Sequence, residues 1–337
     1  MKSNIKTISE LTGFSQATIS NVLNNKKNVK KSTADLIIQT AYKIGYLDSN
    51  KIENVRIVMY KKSGEILTET PLITALIEGV ESEAQNNNLP TIICNLKEGD
   101  ADFENKIEEI LSSRNSGIIM LATEMDWDDI KRFQSIRERM VVVDAFFREG
   151  LFESLLMDNM DAFYNSVLYL HNKGHRNIQM IDSSIEIRNF KYRRSGFLSA
   201  MNDLKLSGGE DSIIKLHPTM SGAYQDMLRY LETKPKLPSA FCAVNDIIAI
   251  GAMKAIKEYG YKIPDDVSII GFDNMPYGDI TSPGLTTVNI LKREMGEIAV
   301  QRLLVNCNQK CYIPLVTQLQ TSIVERQSVR RIDGEAG

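Results

Sequence analysis

The stretch Ile5–Asn24, IKTISELTGFSQATISNVLN, holds two short helical patterns with a tight turn between them. Ile5, Ile8 and Leu11 recur at a spacing of three, which predicts one apolar face of a first helix. Gly13 supplies the permissive backbone for the turn, and Phe14 plugs the gap beside it. Ser15 reads as the N-cap of a second helix whose inward stripe is Ile19, Val22 and Leu23. Its other face carries Gln16, Ala17, Thr18, Ser20 and Asn21. Small and amide-bearing side chains at a helix start can enter a major groove and read base edges. The same pattern also suits an amphipathic hairpin that binds nothing, so the rest of the chain has to decide.

Charge distribution is the first such context. The chain has 337 residues and a net charge of -3, which by itself points to no nucleic-acid partner. Residues 1–50 hold seven lysines against Glu10, Asp35 and Asp48, a balance of +4 that leaves -7 for the remainder. A basic head on an acidic body is what contact with phosphates asks for, although a solvated lysine face gives the same count. The length allows two to three domains with a sizeable core. No apolar run is long enough to span a bilayer and no signal-peptide core precedes the first helix, so a cytoplasmic protein is expected. Cys94, Cys242, Cys307 and Cys311 lack the paired spacing of a zinc site and read as reduced thiols. No metal or cofactor is expected.

After a lysine-bearing loop, Asn25 to Lys31, a third helix is predicted from Ser32 to Ile44, with Leu36, Ile37, Thr40, Ala41 and Ile44 inward and Gly45 as its stop. Leu47–Asn54 reads as a polar linker. From Val55 the pattern changes to apolar strand runs that alternate with amphipathic helices. The runs are Val55–Tyr60, Thr91–Cys94, Gly117–Leu121, Met140–Asp144, Ile178–Ile181, Ile213–Leu216, Ala240–Val244 and Val267–Gly271. This alternation predicts parallel doubly wound sheets, and its extent exceeds one sheet, so two α/β lobes are expected behind an all-α head.

Ligands of such folds lie beyond the carboxyl ends of the strands. Asp144, Asn245, Asp246 and Asp273 close or follow strand runs there, and Arg193 and Arg194 open a long helix. Carboxylates, amides and an arginine fork suit one small hydroxylated ligand. Asp246 also fits as the N-cap of the next helix, and Arg194 as a solvent-facing charge. Lys61 and Lys62 follow the first strand near the expected cleft mouth. They fit an anionic effector such as a sugar phosphate, or two solvated lysines. His171 and His217 have no Ser or Cys in a nucleophile setting, and His175 reads as structural. With no Gly-rich phosphate loop either, an enzyme is not expected.

Together these residues resemble the lactose-repressor/galactose-repressor (LacI type) family of bacterial transcription regulators over nearly the full length. The resemblance rests on Ala17-Thr18-Ile19-Ser20-Asn21-Val22-Leu23-Asn24 with Gly45-Tyr46, on Gly174-His175-Arg176, on Arg193-Arg194-Ser195-Gly196-Phe197, and on Asn245-Asp246 with Ala249-Ile250-Gly251-Ala252. Its most specific part is Pro264-Asp265-Asp266-Val267-Ser268-Ile269-Ile270-Gly271-Phe272-Asp273, continued by Pro283-Gly284-Leu285-Thr286-Thr287-Val288. It implies a cytoplasmic homodimeric repressor that binds a palindromic DNA operator. It also implies a periplasmic-binding-protein-like body holding a small effector, a sugar or sugar phosphate, between its lobes. Base readers would be Gln16, Ala17 and Asn21, and phosphate contacts Thr7, Ser15, Thr18 and Asn25. Effector contacts would be Asp144, Arg193, Asn245 and Asp273, with His217 as the stacking ring.

The implied domains are a head at 1–48, a linker at 49–54, a first lobe at 55–156 plus 289–316, and a second lobe at 157–288 plus 317–332. No leucine-heptad extension follows Ile332, which favours a dimer over a tetramer. One departure stands out. The family's Ala-Arg-x-Leu hinge helix, which wedges into the minor groove, has no counterpart in Leu47–Asn54, where Asp48 and Glu53 would repel phosphates. The alternative reading is therefore a ligand-binding module whose DNA grip is weak or lost.

Overall fold

In the computed structural model of the chain, the described residues are 4–23, 29–44, 52–66, 72–309 and 311–332. Asn25, Gly45, Tyr46 and most of the Leu47–Asn54 linker lie outside them. The chain forms two compact units, Met1–Ile52 and Glu53–Gly337.

The first unit is three helices, α1 (Ile5–Thr12), α2 (Gln16–Leu23) and α3 (Lys31–Lys43). Asn4 caps α1 by accepting from the Thr7 amide, and Gly13 ends it at a φ of +74°. Ser15 caps α2, its Oγ 3.1 Å from the Thr18 amide nitrogen. The core is Ile8, Ile19, Val22, Ile37, Ile38 and Ala41. Two expected core residues stay outside it: Leu11 is 60% and Leu36 48% exposed. Each lies a helical step too far round from the buried stripe, and Ile38 with the partly buried Ala34 takes the place of Leu36.

The second unit alternates strand and helix. Its first lobe runs β1 (Asn54–Lys61), α4 (Leu72–Asn86), β2 (Thr91–Lys97), α5 (Phe103–Ser112), β3 (Ser116–Leu121), α6 (Trp127–Ile130), β4 (Met140–Val143) and β5 (Glu153–Met157). The second runs α7 (Asn159–Asn172), β6 (Ile178–Ser183), α8 (Arg188–Asp203), β7 (Ile213–Leu216), α9 (Met220–Glu232), β8 (Ala240–Ala243), α10 (Asp246–Glu258), β9 (Ser268–Phe272), α11 (Pro276–Ile280) and β10 (Thr286–Asn289). The chain then returns to add α12 (Lys292–Asn308) and β11 (Val316–Leu319) to the first lobe, and crosses once more to add β12 (Ser322–Val324) to the second.

The sheets are ordered β11-β5-β4-β3-β1-β2 and β12-β10-β9-β8-β6-β7. Among the described residues every strand pairing is parallel except β10 with β12. The expected passage into the second lobe at 317 is three residues early, because Val316–Leu319 pairs with Ser154–Met157 in the first sheet. β3 and β4 are buried along their whole length, as strands covered by helices on both faces must be. Both sheets contain the order 2-1-3-4-5, whose direction of growth reverses between its first and third strands. In the first lobe that crevice lies between the ends of β1 and β3, and in the second between β6 and β8. Among the described residues no helix is long and apolar enough to cross a membrane.

Candidate effector site and candidate DNA-reading helix

A buried polar network joins the carboxyl ends of the two sheets. Asp144 follows β4 at a φ of +65° and is 2% exposed. Its Oδ2 accepts from Thr123 Oγ1 at 2.6 Å, and its Oδ1 from Asn189 Nδ2 at 2.8 Å. Asn189 belongs to α8, so this bond crosses from one lobe to the other. Asn159, at the first crossover, donates to Asn189 Oδ1 at 3.3 Å and accepts from Arg193 Nε at 2.9 Å. Arg193 is 3% exposed and donates to the Val244 carbonyl at 2.6 Å. Its guanidinium stacks 3.6 Å from the centroid of the Phe272 ring and stands 3.8 Å from Asp273 Oδ1.

Charge in this network is unbalanced. Burial pushes the Asp144 carboxyl up to about 6, partly offset by Thr123 and Arg193. Burial also raises Asp246 to about 7 and raises Asp273. The compensating cations are Arg193 and Lys292, which burial pulls down. Among the described residues, the Asp273 carboxylate accepts no hydrogen bond. A pocket with more buried acceptors than donors is completed by a ligand that brings donors, as a polyhydroxylated molecule does.

Asp144, Arg193 and Asp273 are thus brought together. Asn245 lies beside them, next to Val244, but its Oδ1 caps α10 by accepting from the Ile248 amide at 2.9 Å, which leaves its NH2 for other partners. This corrects the reading of Asp246 as the cap. Asp246 is fully buried one residue further on, with Oδ1 on Thr287 Oγ1 at 2.6 Å and Oδ2 on the Met275 amide at 2.7 Å. Arg194 is not a solvent-facing charge either: its Nε donates to the buried Asp182 at 2.7 Å. His217 is the residue the structure sets apart. Its Nε2 lies 3.1 Å from Glu65 Oε2, on the loop after β1, and its Nδ1 3.0 Å from Thr219 Oγ1. The ring fits against α9 because residue 222 is Gly; a Cβ there would come within 2.5 Å of Nδ1. Lys62, offered as a contact for an anion, is held by Asp126 at 2.7 Å and Asp129 at 3.2 Å. His175 is structural as expected, buried between Ser239 and the Arg330 carbonyl.

Thr123, Asn159 and Asn189 carry no sequence signal of their own, since an Asn at a helix start reads as a cap. Arg188 was missed as well. Its guanidinium lies 4.9 Å from the centroid of the Phe147 ring, and its buried Nε has no hydrogen-bond partner among the described residues.

In the head, α2 turns Gln16, Ala17 and Asn21 outward while Ile19 and Val22 are buried. Ser15 and Thr18 are already engaged with each other in the cap, Oγ to Oγ1 at 2.9 Å. Thr7 Oγ1 donates to Asn4 Oδ1 at 3.1 Å.

A three-helix head with a helix-turn-helix, and a two-lobed body with a polar crevice, form an architecture suited to ligand-controlled DNA binding. Comparison with known proteins narrows it. A family model described as a periplasmic binding protein-like domain matches residues 167–329. The HTH-type transcriptional repressor PurR of Pasteurella multocida (strain Pm70) is 28% identical over 329 residues, 97% of this chain and 98% of the relative. The regulator CelR in complex with cellobiose has a TM-score of 0.74 at 18% identity, over 97% of this chain and all of that one. The Lac repressor dimer bound to operator and the anti-inducer ONPF has a TM-score of 0.70 at 19% identity, over 98% of this chain and all of that one. Identities this low in the solved structures speak for the fold alone. Over nearly its full length the chain is similar to HTH-type transcriptional repressors, and it shares the fold of the Lac repressor, with a periplasmic-binding-protein-like body.

Proposed function

We propose that the chain is a cytoplasmic repressor that binds a palindromic operator as a homodimer. A small sugar-like effector held between the lobes sets its operator affinity. The observation that carries this reading is the bond from Asn189 in one lobe to Asp144 in the other, within a network short of donors. A ligand that supplies hydroxyls to Asp144 and Asp273, and accepts from Arg193 or the Asn245 amide, changes how the lobes meet. By linkage it then changes the spacing of two DNA heads. The CelR complex with cellobiose shows that a body of this fold can hold a carbohydrate.

Gln16, Ala17 and Asn21 are the proposed base readers, since Gln and Asn pair bidentately with adenine and the Ala17 methyl suits a thymine methyl. Thr7, Ser15, Thr18 and Asn25 would set register on phosphates. The head spans 1–48 and is joined through 49–54. Dimerisation is supported by apolar side chains left in solvent in both lobes, Ile92 and Ile93 on β2 and Tyr277 and Ile280 on α11.

The test is a mobility-shift assay on DNA upstream of the chain's own gene, with the Gln16→Ala/Asn21→Ala chain as control and a panel of sugars as effectors. Retarded DNA with wild type only, released or tightened by one sugar, is the expected result. A wild type that retards no DNA at low salt, or a double variant that retards it equally well, refutes the reading.

A further inference from the structure

The loop after β1 makes an anion-binding nest and then fills it from within. The amides of Lys62 and Ser63 lie 2.7 Å from Glu124 Oε2, the Gly64 amide 3.1 Å and Ser63 Oγ 3.2 Å. Gly64 has a φ of +75°, the left-handed step that helps successive amides converge on one point. Three N–H groups and a hydroxyl on a single oxygen is how proteins hold phosphate or sulfate. Here the occupant is a side chain of the same chain, 8% exposed.

Glu124 arrives from the end of β3, the parallel neighbour of β1. The nest therefore stands at the reversal point of the first sheet, where ligands of such folds bind. The charged side chains that follow β1 are engaged as well. Lys62 is shared by Asp126 and Asp129, and Glu65, on the same loop, faces His217 of the second lobe.

We propose that Glu124 is a specificity-determining residue, a built-in anion that closes this subsite to phosphorylated or carboxylated effectors. The part of the effector that meets the β1 loop is then uncharged or donor-bearing. The second oxygen, Oε1, is buried and has no hydrogen-bond partner among the described residues, so the carboxylate still has an acceptor to offer a hydroxyl or amine. This inference rests on the interlobe crevice being the effector site, and it selects the plain sugar over the sugar phosphate.

Inorganic phosphate is the probe, titrated calorimetrically into the full-length wild type, Glu124→Gln and Glu124→Ala. Glu124→Ala empties the nest, and Glu124→Gln leaves it filled by a neutral amide of the same size. The expected order of phosphate affinity is Ala above Gln above wild type, with Ala about tenfold or more tighter than wild type. Equal binding by all three, or by none of them, overturns the proposal. If the Ala chain does not fold, wild type against Gln decides. The readout involves neither operator nor sugar. A gain of phosphate binding with no sugar response would leave the nest standing and remove the effector reading instead.

Discussion

Replacing Asp144 by Asn measures how much repulsion the crevice stores. The position has a φ of +65°, a conformation Asn tolerates, so the turn survives the substitution. Burial holds the Asp144 carboxyl at about 6 against an ordinary 3.8. Between those values the native chain binds more protons than the unfolded one, so stability falls as pH rises through the window and levels off above about pH 6. At about 1.4 kcal/mol per pH unit the gap corresponds to about 3 kcal/mol lost on going from about pH 4 to about pH 7. Asn does not titrate. The stability of Asp144→Asn relative to wild type should therefore rise by about 3 kcal/mol across the same range. Asn also offers one acceptor oxygen where Thr123 and Asn189 both donate, a cost that shifts the whole curve without changing its slope. Asp246, raised to about 7, titrates in both chains and cancels in the difference. Urea unfolding of the two chains across that range is the assay. Profiles that stay parallel within about 1 kcal/mol would refute the claim that an ionised Asp144 is held there against its desolvation.

Four further outcomes are expected. Arg193→Met strands the Val244 carbonyl and Asn159 Oδ1 and leaves Asp273 without its nearest cation, a loss of about 3–5 kcal/mol in thermal unfolding together with loss of effector binding. Gly196→Ala would put a Cβ 2.1 Å from the Met160 carbonyl oxygen, forcing α8 off α7 at a cost of about 1–3 kcal/mol. Because α8 carries Asn189 and Arg193, sugar affinity measured by calorimetry should fall with it. Gln16→Ala and Asn21→Ala should each weaken operator binding by about 1–3 kcal/mol in quantitative mobility shifts while the melting temperature stays put, since both side chains are exposed. Ile280→Asp, at a side chain 80% exposed, should move the chain from dimer toward monomer in sedimentation velocity without unfolding it.

The sequence by itself determined the alternation that makes two parallel sheets, because periodicity and turn chemistry are local properties of the chain. It also picked out the solvent-facing side of α2, the strand-end residues Asp144 and Asp273, whose place at a carboxyl end follows from chain order, and Arg193 on the helix that meets them. What it left open depends on partners far along the chain. Leu11 and Leu36 look inward by spacing, yet each falls a helical step away from the stripe that the other two helices cover. Lys62 reads as a free cation until Asp126 and Asp129 fold over it, and His217 reads as a ring for stacking until Glu65 meets it from the other lobe. Glu124 carries no signal at all in the sequence. Only the pairing of β1 with β3 sets its carboxylate against the amides of residues 62–64. Local pattern fixes which residues reach a strand end; the desolvated contacts between strand ends fix what each of them can still bind.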